Sequence, residues 1–254
     1  MTYPLVTIIV AVLNRLTTLD RCLESIRAQD LPAKELIVMD GGSTDGTLSV
    51  LEKHKAHISY FESAPDRGIY HAWNKALNHA RGAWICFLGA DDFFWSPHAL
   101  TEMEPFLLEA AEKGIRVVYG QVVKINQAGS ILRVEGKPWH NIRWLMPHGM
   151  PLPHPALMHH QSLFEIHGVF DDSFRIAGDY DLLLRELRRG QALHAPGVRV
   201  VGSQIGGIAD SLKLISHKEV SKARQKNGLP AWTWLSLAVY TRSWIRLQWR
   251  KLHV

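Results

Sequence analysis
Short apolar runs recur through the first ninety residues, each followed by a polar break and then by apolar positions at helical spacing. Val6-Thr7-Ile8-Ile9-Val10-Ala11-Val12 is mostly β-branched, the pattern of a strand covered on both faces, and Asn14-Arg15 closes it. Thr17 or Thr18 then caps a helix reaching about Gln29. Glu35 to Met39 predicts a second strand, running into Asp40-Gly-Gly-Ser-Thr-Asp-Gly ahead of another helix. His57 to Glu62 predicts a third strand, Gly68 to Arg81 a third helix, and Trp84 to Leu88 a fourth strand. Alternation at this spacing implies βαβ units, a parallel sheet and right-handed crossovers.

Past residue 95 the pattern changes. Ser96-Pro97 opens a helix to about Lys113, and Arg116 to Lys124 with Ser130 to Glu135 reads as a hairpin around Gln127-Ala128-Gly129, which makes the sheet mixed. Trp139 to Pro155 is rich in Pro, Trp and His and long for a plain connection. Asp179 and Asp181 begin a helix whose Leu182-Leu183-Leu184 run buries against the sheet. After Gly206-Gly207 a polar, basic helix from about Asp210 to Lys226 precedes a break at Gly228-Leu229-Pro230. On a helical wheel Arg242, Arg246 and Arg250 then form one stripe, with Trp244, Ile245, Trp249 and Leu252 on the other side. That pattern suits a helix lying in a membrane interface, and equally one packed on the body or on a second subunit. The expected organisation is one α/β domain over residues 1–208, in halves of about 1–95 and 96–208, followed by a helical basic tail over 209–254.

A chain of 254 residues holds one large core and requires no second full domain. Residues 211–254 carry nine Lys/Arg against Glu219 alone, leaving twenty against twenty-three in the rest. This asymmetry points away from nucleic acid and toward an acidic-mouthed body with a basic anchoring tail. A cytoplasmic protein in peripheral contact with the anionic inner face of the cell membrane is expected. Cys22 and Cys86 form neither a disulfide framework nor a zinc pattern, and Met1-Thr2-Tyr3-Pro4 has no leader-like composition.

The candidate chemistry lies at strand ends. Asp91 and Asp92 follow the fourth strand, at the edge where open α/β sheets bind ligands. A paired carboxylate there calls for a hard cation, Mg²⁺ or Mn²⁺, working with a phosphorylated substrate; an Asp-Asp cap or turn is the plainer alternative. The Asp40–Gly46 segment opens a helix, and its backbone N–H groups, with Gly42 and Ser43, suit a polar ligand, although a capped turn needs the same residues. Pro65-Asp66-Arg67-Gly68-Ile69-Tyr70-His71-Ala72-Trp73-Asn74-Lys75 is a loop entering a helix, in which Asp66, Arg67 and Lys75 are placed for a ribose and diphosphate or else are solvated charge. Neither a dinucleotide fingerprint nor a P-loop is present, and His148, His154, His159 and His160 follow no zinc spacing.

Taken together, Thr7–Asn14, Glu35–Thr47, Pro65–Lys75 and Leu88–Asp92 resemble the nucleotide-sugar half of the inverting family 2 glycosyltransferases, in particular the bacterial branch that builds surface polysaccharides. The resemblance covers roughly residues 5–205. It implies the GT-A fold, a Rossmann-like central sheet, mostly parallel or mixed, flanked by helices. It also implies a nucleoside diphosphate sugar donor, expected to be UDP-linked, and a glycan or lipid-linked acceptor. By this resemblance Asp40 binds the uracil–ribose part and Asp92 with Asp91 holds the metal on the diphosphate. Asp66 and Lys75 lie along the nucleotide, and Val10, Asn14, Gly42, Ser43, Arg67 and Gly68 complete the donor side. Asp179 becomes the catalytic base, with His154 and Asp181 on the acceptor side and Trp139–Pro155 as acceptor loop. The sequence departs from the family at Gly41 and Gly178, where acids are common, at Gly89-Ala90, and at His159-His160-Gln161. A nucleotidyltransferase would need a Gly-rich basic N-terminal loop that the chain lacks, and a non-catalytic carbohydrate- or lipid-binding protein on the same fold is the alternative from another class.

Overall fold
The computed structural model describes residues 4–205, 213–238, 240 and 241. Its strands form one sheet in the order β3-β2-β1-β4-β8-β6-β9-β5, with β7 paired to β6. β1 (Val6–Val12), β2 (Lys34–Asp40), β3 (Tyr60–Ser63) and β4 (Trp84–Phe87) are the parallel half, with Val12 opposite Asp40. β8 (Leu157–His160) runs antiparallel to β4 and turns the sheet into its mixed half. There β6 (Val117–Ile125) pairs antiparallel with β7 (Ile131–Glu135) and parallel with β9 (Ala192–Gln204). β5 (Asp92–Phe94) closes the edge antiparallel to β9, placing Asp92 opposite Ser203.

The continuous apolar runs have a direct physical cause. Successive side chains of a strand point to opposite faces, and here both faces are covered. Ile8 and Val10 enter one core with α1 (Leu16–Arg27) and α4 (Ala99–Glu112), whereas Ile9 enters the other with α3 (Ile69–Leu77) and α7 (Gly178–Leu187). Further helices are α2 (Thr47–His54), α5 (Trp139–Ile142), α6 (Gln161–His167) and α8 (Lys213–Lys226).

Most expected elements occur, with shifted ends. The third strand begins at Tyr60 because Lys55–His57 continues α2 as a 3-10 turn. α3 stops at Leu77, since the chain beyond it is drawn onto Glu35, whose carboxylate accepts from the Arg81 backbone N–H and guanidinium and from Thr7 Oγ1. β5, α6, β8 and β9 had no counterpart in the sequence pattern. α8 is not a loose appendage: Ala223 is fully buried and Arg224 is 1% exposed. Gly206-Gly207 and the Arg242, Arg246, Arg250 stripe with Trp244, Ile245, Trp249 and Leu252 lie outside the described residues.

Candidate active site
The loops after β1 and β2 are stitched to each other. Asn14, at φ 51°, accepts from the Thr44 N–H through its side-chain oxygen, and its own N–H donates to Ser43 Oγ. Asp40 sits at the centre, 2% exposed, accepting from the N–H groups of Gly42 and Ser43 and from the hydroxyls of Ser43 and Ser63. Four hydrogen bonds thus tie Asp40 to its own loop and to the end of β3. Val10, also expected on the donor side, is wholly buried because its mid-strand position points it into the core behind the sheet.

Asp66 occupies the place where an acid at position 41 would lie. A Cβ on Gly41 would stand 2.7 Å from Asp66 Oδ2, while Asp66 Oδ1 accepts from the Gly68 N–H at 2.9 Å. A side chain at position 41 would therefore displace the Asp66 carboxylate from where it stands. Gly68 itself has φ +128°, which L side chains rarely adopt, so it is required to turn the chain into α3. Arg67 pairs with Asp172 and Lys75 with Glu62, both carboxylates on neighbouring elements.

Asp91 and Asp92 do converge. The Asp92 N–H donates to Gly89 O in a tight turn. Asp91 Oδ1 and Asp92 Oδ2 each come within 2.9 Å of the point where a Cβ on Gly89 would stand, so glycine keeps the cradle open. Asp92 is 9% exposed, and burial first and the Asp91 charge second push its pKa up to about 6, against the opposing influence of Ser203 and Lys124. Lys124 donates to Ser203 Oγ at 2.9 Å. A carboxylate held this poorly solvated beside a second one is a fit for a divalent cation. Among the described residues no three His, Cys, Asp or Glu groups converge for a metal, so an ion held by this pair would need further oxygens from a ligand or water.

The second carboxylate centre is Asp179, in the first turn of α7. It accepts from the Tyr180 N–H at 2.8 Å. Tyr70 OH lies 3.1 Å from Asp179 Oδ1 and 2.5 Å from Ile176 O, and its single hydrogen favours the nearer carbonyl. Left with little compensation for burial, Asp179 has its pKa raised to about 6, with Glu219 adding a smaller push in the same direction. Gly178 is explained by the same tyrosine, since a Cβ there would stand 2.8 Å from the Tyr70 ring.

The segment before Asp179 is held at both ends. Asn74 on α3 exchanges two hydrogen bonds with the Phe170 backbone, and Glu219 on α8 accepts from the N–H groups of Arg175, Ile176 and Ala177. Sequence reasoning missed Tyr70 and Glu219 as supports, although a lone acid in a basic tail was the available signal for the second.

Asp181 does not join Asp179. Two residues on along a helix is about 200° around it, and Asp181 is 0% exposed, bonded to Lys226, Asn227 and Arg185. It fastens α8 to α7 instead of facing an acceptor. His154 is likewise inside: its ring stacks on Trp73 at 5.4 Å, its Nε2 is buried without a partner, and burial lowers its pKa to about 4. His159 contacts Ile85 O and His160 caps α6, which explains the departures there structurally.

With this geometry in hand, comparison with known proteins is decisive. The family model described as Glycosyl transferase family 2 matches residues 7–162. This chain belongs to glycosyltransferase family 2. The glycosyltransferase is similar to the PGL/p-HBAD biosynthesis glycosyltransferase of Mycobacterium tuberculosis, 30% identical over 192 residues that cover 73% of this chain and 70% of that protein. It is also similar to chondroitin synthase of Escherichia coli, 28% identical over 75% of this chain but only 28% of that protein. Among solved structures, S. aureus TarS 1–349 in complex with UDP superposes with a TM-score of 0.64 at 17% identity, covering 87% of this chain and 64% of that one. The Pyrobaculum calidifontis mannosyltransferase PcManGT in complex with GDP-Man and Mn²⁺ gives 0.65 at 21%, covering 89% and 64%. This chain thus spans under two thirds of those two structures, and the likeness establishes the GT-A fold.

Proposed function
We propose that this glycosyltransferase moves a sugar from UDP to a hydroxyl of a surface glycan or lipid-linked saccharide, with inversion at the anomeric carbon and with Mg²⁺ or Mn²⁺. The observation that carries this reading is the convergence of Asp91 and Asp92 over Gly89, at the C-terminal edge of the parallel strands. When bound, the ion would neutralise charge building on the leaving diphosphate. Asp66 and the Gly42–Ser43 loop line the nucleoside side, with Asn14 holding that loop in place. Asp179, supported by Tyr70 and Glu219, takes the proton of the acceptor hydroxyl while its oxygen attacks the anomeric carbon opposite the breaking bond to diphosphate. A carboxylate with a pKa raised to about 6 is ionised at neutral pH yet more basic than an ordinary aspartate, as a general base needs.

UDP in TarS and GDP-Man with Mn²⁺ in PcManGT support a nucleotide-sugar donor and a divalent ion. The test is release of nucleoside diphosphate from a panel of UDP- and GDP-sugars with and without Mn²⁺. Slow, metal-dependent UDP release is expected, and no release from any donor would leave a binding protein on this fold.

The acceptor reading includes peripheral contact with an anionic membrane. Among the described residues no helix is long and apolar enough to cross one. Thr233 and Ser236 bond His148 and Arg224 of the body, so the truncation that isolates the Arg stripe starts at residue 242. Removing 242–254 should abolish cosedimentation with anionic vesicles and leave UDP binding unchanged. Vesicle binding that ignores lipid charge would exclude the anchor.

A further inference from the structure
A cavity of about 360 Å³ lies between the Leu145–Pro151 loop, α8 and the Ala231–Ser236 segment, apart from the acidic pair. Its walls include Leu145, Met150, Val220 and Leu235 together with His148, His217 and three serines, and Arg224 is part of the lining. Arg224 is 1% exposed, its Nη1 donates to Ser236 Oγ at 3.1 Å, and its Nε is buried without a partner. By contrast Arg116 meets Glu186, and Lys226 meets Asp171 and Asp181. Among the described residues no carboxylate pairs with Arg224. Tyr180, an ionisable group close enough to influence Arg224, donates its hydroxyl to Met146 O at 2.8 Å and is held neutral by burial, its pKa pushed well above the ordinary value, so it supplies no counter-charge.

A guanidinium buried without an opposite charge is strongly unfavourable unless something brings one. We propose that this cavity binds a phosphate group carried on an apolar stem, with Arg224 as its cation. The planar guanidinium fork, with Ser216 and Ser221 in the same lining, suits the several oxygens of a phosphate, and Leu145, Met150, Val220 and Leu235 suit an aliphatic stem. The site abuts the base-bearing helix, because Tyr180 follows Asp179 and its hydroxyl holds the cavity's loop wall through Met146. It rests on its own residues and stands independently of the transferase reading.

The test uses the full chain and three probes followed by calorimetry: octyl phosphate below its micelle concentration, octanol, and inorganic phosphate. Octyl phosphate should bind at least about ten-fold more tightly than either of the others. Arg224→Met should reduce octyl phosphate affinity to the octanol level without changing UDP binding. Ser221→Asp, one turn before Arg224, supplies an internal carboxylate and should both raise the melting temperature and block octyl phosphate, which decides the matter if Arg224→Met does not fold. Equal binding of octyl phosphate and octanol, or full affinity in the variants, would overturn the site; inorganic phosphate binding as tightly as octyl phosphate would overturn the stem. A wild-type chain that binds octyl phosphate but no UDP would defeat the donor reading and leave this site intact.

Discussion
Asp40 and Asp92 both stand at the C-terminal edge of the sheet, and both are almost completely buried. Asp40 accepts four hydrogen bonds from its own loop and the neighbouring strand end. Asp92 shares its cradle with a second carboxylate, and its pKa rises to about 6. The difference teaches how to read strand-end acids: one whose lone pairs are taken by nearby N–H and hydroxyl groups builds the loop, and one left short of donors has lone pairs to offer a cation. The same division separates Asp179 from Asp181 within one turn of α7.

The largest expected effect sharpens the second pair. Asp179→Asn should lower turnover by about 10²–10⁴-fold while leaving UDP affinity close to wild type, as measured by steady-state kinetics beside calorimetry. In the wild type kcat should rise with pH through about 6 and level off above it, because the base works only when ionised. Asp181→Asn, by contrast, leaves Lys226 and Arg185 without their shared anion, so its loss should appear in unfolding and not in the pH profile of kcat.

A smaller effect breaks or upholds the first pair. Asp40→Ala leaves the Gly42 and Ser43 N–H groups without an acceptor and should cost about 3 kcal/mol in urea unfolding. UDP affinity measured well below the transition should fall little. A stable Asp40→Ala protein that no longer binds UDP would make Asp40 a donor ligand after all.

The parallel half of the sheet was legible because β1, β2 and β4 are buried on both faces and so read as unbroken apolar runs. β8 and β9 were not, since Leu157–His160 contains two histidines and Ala192–Gln204 is interrupted by Pro196-Gly197. The acidic pair and Asp179 could be picked out by order along the chain. Order does not reveal which lone pairs are already taken, as those of Asp40 are. Nor does it show that helical rotation separates Asp181 from Asp179. The tie from Glu219 to Arg175–Ala177 spans more than forty residues, beyond what any local pattern records.

The central claim is that Asp91 and Asp92 hold a divalent ion that binds the donor diphosphate. Calorimetry of UDP binding to the wild type and to Asp92→Asn, each with and without Mn²⁺, tests it most directly. The amide keeps the shape of the cradle and removes the charge that balances the cation. Mn²⁺ should strengthen UDP binding to the wild type and have little effect on the variant, with metal-free affinities similar in both. A variant that keeps the full Mn²⁺ enhancement would contradict the assignment.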